Sequence, residues 1–194
     1  MSMDFRTFDL RKRVLEDVGN KFYPWMLKAR QLILSASILE NQCAKRKYFG
    51  VDLDKYEDEL EAKSPSVEVH SVLMLWAMAA ECLLKALWLK SGEKLIRDGN
   101  YNKIPDTNDH HLDTIAHAVC KKGIFKFTIK DLELLFRLSG YIIHGRYPIP
   151  KHAHTRTAVM PDGRLLKSEL IWHIRSDDKQ YHSLVARMLK ALAK

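Results

Sequence analysis

The sequence is sparing with the residues that cross-link or punctuate a chain. Among 194 residues there are three cysteines, Cys43, Cys82 and Cys120. They are odd in number and widely spaced, and they form no Cys-x-x-Cys pair, which leaves a disulfide framework or a zinc ribbon without support. All three sit in helix-patterned surroundings and read as reduced core residues of a cytosolic protein. There is no Gly-x-x-x-x-Gly-Lys-Ser/Thr phosphate loop and no Gly-x-Gly-x-x-Gly turn. The Glu-x-x-His pair of di-iron bundles and the His-Glu-x-x-His zinc motif are also missing. No internal repeat or low-complexity tract occurs. The amino terminus, MSMDFRTFDLRKR, is charged from its fourth residue and lacks an apolar core segment, so no secretory signal and a cytoplasmic location are expected.

No long apolar run is free of charge either. Residues 72 to 89, VLMLWAMAAECLLKALWL, are interrupted by Glu81 and Lys85. At the centre of a membrane each charge would cost roughly 2.5–3.5 kcal/mol. Spaced i,i+4, the two can pair on one helix face, which points to the central helix of a bundle in water.

What the chain has in quantity is ordinary globular composition and positive charge. Hydrophobic residues make up 46% and charged residues 29%, as in a folded domain and unlike a disordered chain. The length suits one domain, residues 1–194, with a core from about 20 to 148. Lysine and arginine number 32 against 24 acidic residues, a formal charge of +8, which favours polyanionic partners.

The periodicity is helical. A first helix is expected from Phe5 to Asn20, with Leu10, Val14 and Val18 on one stripe, and a second from Pro24 to about Arg46. An acidic connection follows. Ser64 or Ser66 can cap a third helix, about 66 to 90, that is apolar nearly all round and stops at Ser91-Gly92. Asp109 can cap a short fourth helix through Lys122. Thr128 with Asp131 three residues on resembles a capping box and opens a fifth helix, which ends near His144-Gly145 because Pro148 and Pro150 forbid continuation. Residues 149–176 are irregular, with a Pro-Asp-Gly turn in HTRTAVMPDGRLL that allows a small hairpin. A last helix over 177–194, capped by Asp177 or Asp178, carries Tyr181, Leu184, Val185, Met188, Leu189 and Leu192 on one face. With five to six helices and no βαβ alternation, the expected fold class is an all-α helical bundle.

Chemistry concentrates in the fifth helix. Arg137 and His144 are seven residues apart, nearly two turns, and therefore share a stripe, with Lys130 seven residues earlier on the same line. Gly140 lies between them. A glycine inside a helix costs up to about 1 kcal/mol relative to alanine, and a close approach to the backbone there, by a substrate phosphate or a neighbouring helix, would explain it. Arginine presents a planar fork to phosphate oxygens, and histidine exchanges protons near neutral pH. Together they suit RNA cleavage without a metal or cofactor, with attack by the ribose 2′-hydroxyl. A nearby arginine also favours a neutral imidazole that can act as a base. Arginine-to-histidine spacings of this kind also occur at Arg146/His152 and Arg175/His182, but only Arg137/His144 falls within one helix. His110-His111 and His152-x-His154 lack an evident carboxylate or thiol to complete a metal site.

Four stretches, WMLKARQLILSASIL, AMAAECLLKALWLKSG, HHLDTIAHAV and LELLFRLSGYIIHGRYP, together resemble the HEPN superfamily of small helical bundles, over residues 25 to 148. RLSGYIIH is similar to that family's Arg-x4-6-His ribonuclease motif. The resemblance implies a HEPN-like endoribonuclease, a toxin or defence effector, with Arg137 and His144 as its catalytic pair. It also implies a homodimer that brings two pairs into one groove on RNA. Glu81 looks like an acidic position of the family's earlier helix that orients Arg137 or His144, the alternative being a simple pair with Lys85. Lys130, Gly140, Tyr141, Arg146 and Tyr147 are the candidate substrate-binding residues. Arg146-Tyr147-Pro148 is similar to members paired with minimal nucleotidyltransferases, so such a protein or a cognate antitoxin is the implied partner. Leu138 stands after Arg137 where active members often carry a polar residue. The alternative is therefore a non-catalytic module that binds nucleotide, RNA or a partner protein.

Overall fold

The computed structural model describes residues 5–45, 67–144, 157–167 and 174–194. In chain order these form α1 (Phe5–Gly19), α2 (Phe22–Lys45), α3 (Val67–Lys90), β1 (Ile96–Arg97), β2 (Asn100–Tyr101), α4 (Leu112–Lys121), α5 (Ile129–His144), β3 (Thr157–Val159), β4 (Leu165–Lys167) and α6 (Ile174–Ala193). The protein is an all-α bundle with two short antiparallel hairpins, and the one ahead of the last helix falls where the Pro-Asp-Gly turn puts it. The caps proposed at Ser64 or Ser66 lie outside the described residues.

α3 is the centre. It packs against α2, α4, α5 and α6, and buries Leu73, Trp76, Ala77, Ala80, Leu83, Leu84 and Leu87 among them. A helix apolar on every side has no face to give to water, so it is surrounded. Its most extensive partner is α2, which turns Met26, Ala29, Leu32 and Ala36 inward at helical spacing. Alanines on both helices keep the contact surfaces flat and the axes close. The window His70–Lys90 is long and apolar enough to cross a membrane by composition, and 78% of it is buried inside the bundle.

Particular contacts fix the directions of the helices. Lys90 sits over the Phe22 ring and Lys85 over Trp25, so α2 runs antiparallel to α3. Trp76 stacks on Tyr181 at 4.6 Å, and Lys90 Nζ donates to the carbonyls of Ala191 and Leu192, so α6 runs parallel to α3. Asp131 meets Arg187 while Arg137 meets Asp177, so α5 runs antiparallel to α6. The start of α3, the end of α5 and the start of α6 therefore share one end of the bundle.

The α1 stripe lies outside the core expected from about residue 20: Leu10 is 63%, Val14 53% and Val18 45% exposed. Polar contacts hold α1 instead. Asn20 exchanges hydrogen bonds with the backbone of Leu95 and Ile96, and Gly99 N donates to Glu16 Oε1 at 2.6 Å. Gly99 has φ +73, and a Cβ there would run into Lys12. Two expectations are corrected. First, α4 starts at Leu112, and Asp109 does not cap it. The Asp109 carboxylate accepts from the Tyr101 hydroxyl at 2.9 Å, while Leu112 N donates to Ser139 Oγ of α5. A neighbouring helix thus satisfies an amide that a local cap would otherwise take. Second, α6 starts at Ile174, so Asp177 lies within its first turn and not before it, and Arg175/His182 falls within one helix just as Arg137/His144 does.

Candidate site at the shared end of α3, α5 and α6

α5 carries the residues that the sequence singles out, and its start is well anchored. Thr128 N donates to Asp131 Oδ2 at 2.7 Å and Asp131 N to Thr128 Oγ1 at 3.2 Å, the reciprocal box expected of this pair. The same buried carboxylate accepts from Gln180 and from Arg187 Nη2 of α6. From there the helix continues unbroken to His144. Arg137 and His144 are therefore about 10 Å apart along one helix axis and close in azimuth, with Tyr141 on the stripe between them. The His144 side chain, Arg146 and Tyr147 lie outside the described residues.

Arg137 is partly buried and fixed. Its Nη2 donates to Asp177 Oδ1 at 2.7 Å, with the arginine side chain 22% and the aspartate 8% exposed. Its Nε is buried and has no hydrogen-bond partner among the described residues. One edge of the guanidinium is thus held by α6, and this aspartate does not satisfy the rest of the donor set.

Tyr141, one turn beyond Arg137, is almost fully buried. Burial pushes its hydroxyl up to about 12, with Arg137 opposing the rise and Asp177 adding to it. Its ring lies 5.8 Å from the imidazole of His70 in α3. Gly140 is also buried, so neither of these two candidate substrate-binding residues sits on an open polar edge, whereas Lys130 in the first turn is exposed. Nearby, Glu40 near the end of α2 is pushed up by burial and by Asp178, with His182 opposing.

Glu81 belongs to a different cluster. Its Oε1 pairs with Lys85 Nζ at 2.5 Å, the simpler of the two roles considered for it, and its Oε2 meets His110 Nδ1 at 2.8 Å. Lys85 is boxed in between the rings of Trp25 and Tyr101, at 5.3 and 4.9 Å. Burial disfavours its charge, but the Glu81 carboxylate and Tyr101 outweigh that, and the net displacement is upward. His110 takes a left-handed backbone, φ +69, uncommon for a residue with a side chain. This cluster fastens the segment before α4 to the central helix. Both carboxylate oxygens of Glu81 face this way, and no hydrogen bond joins them to Arg137 among the described residues.

The sequence did not mark Asp177, His70 or His110 for these places. Asp177 was visible only as an acid near a helix start, and the two histidines had no local signal. No cluster of three or more metal-ligating side chains occurs among the described residues. A groove of about 400 Å³ lies at the far end of the bundle, lined by Trp88, Glu93, Thr107, His117, Lys121 and Lys122 among others. Comparison of the chain with protein-family models, with curated proteins and with solved structures found no match in any of the three.

Proposed function

We propose that the chain is a HEPN-like, metal-independent endoribonuclease that works in the cytoplasm as a homodimer, in the manner of a toxin or defence effector. One observation carries the reading: α5 is a single helix from Ile129 to His144, so a partly exposed arginine held by a buried carboxylate stands two turns from a histidine on one stripe. In the proposed reaction the His144 imidazole takes the proton from a ribose 2′-hydroxyl. The oxygen attacks the adjacent phosphorus, Arg137 stabilises the charge on the non-bridging oxygens, and the 5′-oxygen leaves. The products are a 2′,3′-cyclic phosphate and a 5′-hydroxyl. The charge of +8 supports RNA as the partner, bound first through its backbone. A cognate antitoxin or a nucleotidyltransferase would be the protein partner.

The test is incubation with RNA in EDTA, comparing the wild type with Arg137→Ala and His144→Ala. Cleavage by the wild type that each substitution abolishes supports the reading, and equal cleavage by all three removes it. A second reading is favoured by the Arg137–Asp177 pair itself. A guanidinium already neutralised by a carboxylate suits a module that binds nucleotide, RNA or a protein without cutting, and such a module would bind RNA in the same assay and leave it intact.

A further inference from the structure

A phosphodiester cleaved by 2′-hydroxyl attack needs two proton transfers: one from the nucleophile and one to the departing 5′-oxygen. Resting on the ribonuclease reading above, we infer that His70 is the second imidazole of this site and donates the proton to the leaving 5′-oxygen. His70 stands in α3, at the bundle end where α5 finishes and α6 begins. Its ring lies 5.8 Å from that of Tyr141, the residue that occupies the α5 stripe between Arg137 and His144. It is partly exposed, and no hydrogen bond joins its ring nitrogens to another described residue. A partly exposed imidazole beside a guanidinium-bearing stripe can meet a substrate oxygen.

Among the described residues, Tyr141 faces it from α5, Arg137 and Asp177 act in turn on Tyr141, and Glu40, Asp178 and His182 stand at the same end of the bundle. His182 is the other imidazole here, but it lies edge-on to Trp76 and Tyr181, not beside the stripe. The roles divide by position. His144 shares the stripe with Arg137 and takes the role of proton acceptor in the proposed reaction. His70 lies against Tyr141 from α3, off that stripe, and takes the remaining role of proton donor. Protons and bonds balance: the 2′-oxygen loses one and bonds to phosphorus, the bond to the 5′-oxygen breaks, and that oxygen receives one.

The test uses two RNA substrates that differ only in the leaving atom, the natural 5′-oxygen or a bridging 5′-sulfur, which departs without a proton. Against the natural linkage, His70→Gln is expected to lose 10²–10⁴-fold in kcat with KM little changed, and to lose the alkaline limb of the pH–rate profile. Against the sulfur linkage it should recover to near the wild-type rate, while His144→Ala stays inactive on both. If the wild type and His144→Ala behave as proposed but His70→Gln keeps both limbs, or is not rescued by sulfur, the inference is overturned and the ribonuclease reading stands. If the wild type does not cleave, both fall together.

Discussion

Arg137 donates from Nη2 to Oδ1 of Asp177 across 2.7 Å, tying the last helix to the fifth near the end of the bundle where the candidate site lies. The aspartate is nearly buried, so Asp177→Ala leaves a partly buried guanidinium with Nη2 unpaired as well as Nε. Breaking a fully buried pair from one side costs about 3–5 kcal/mol, and the partial exposure of Arg137 brings the expected loss to roughly 2 kcal/mol. Urea denaturation reads this directly. A change below about 0.5 kcal/mol, the range of ordinary surface substitutions, would mean the pair does not hold α6.

Asp131 is the acceptor on which the other end of α5 depends. It closes the box with Thr128 and takes hydrogen bonds from Gln180 and Arg187. Asp131→Ala removes a cap and a buried ion-pair partner together, and should cost about 3 kcal/mol or more. Thr128→Ala removes only the cap hydroxyl and should cost about 1 kcal/mol. Equal losses from the two substitutions in thermal or urea unfolding would contradict this division.

Alkali should unfold the protein through its buried phenol and ammonium groups. Tyr141 is pushed up to about 12 by burial, against roughly 10 for an unfolded tyrosine. A group raised in the folded state lends stability that is complete below its unfolded value and is lost as the pH climbs toward the folded one. The window for Tyr141 is therefore about pH 10 to 12, with a loss on the order of 2 kcal/mol. Lys85 is displaced in the same direction and adds its loss above about pH 10. In Tyr141→Phe the slope of stability against pH should flatten across this window. An unchanged slope in urea midpoints measured from pH 9 to 12 would refute the assignment.

Cys82 and Cys120 should react at different rates. Cys120 is exposed, whereas burial pushes the Cys82 thiol up to about 11, with Glu81 adding and Lys85 and Lys28 opposing. Thiolate is the reactive form, so near neutral pH Cys82 should be alkylated ~100-fold more slowly than a free thiol, and more slowly than exposed Cys120. Peptide mass spectrometry after a timed maleimide pulse measures both rates in one sample. Comparable rates would show that Cys82 is not sheltered.

The parts of this fold that are local were legible in the sequence. The capping box at Thr128 and Asp131, the stop of α3 at Ser91-Gly92, the Pro-Asp-Gly hairpin and the inward face of α6 each depend on residues within a few positions of one another. What depends on distant partners was not. The apolar spacing of Leu10, Val14 and Val18 says that a helix can form, but not that another helix will cover it. Asp109 looks like a cap until Tyr101 takes its carboxylate, and a serine 27 positions further along the chain from Leu112 then accepts the freed amide. Glu81 was picked out as an acid in a central helix, yet His110 reaches it only through a left-handed turn that no periodicity reports. Within the candidate site, the shared stripe of Arg137 and His144 follows from helix geometry, whereas Asp177 and His70 arrive from helices set beside it by packing.

The central claim is that a ribose 2′-hydroxyl is the nucleophile beside Arg137 and His144. It is tested most directly with an RNA that the protein cuts at one position, compared with the same RNA carrying a single 2′-deoxynucleotide immediately 5′ of that position, in EDTA, with the ends identified by mass spectrometry. The account predicts a 2′,3′-cyclic phosphate and a 5′-hydroxyl from the all-ribose strand, and no cut at the deoxy position. Cleavage of the deoxy strand at an equal rate, or ends bearing a 5′-phosphate, would contradict it.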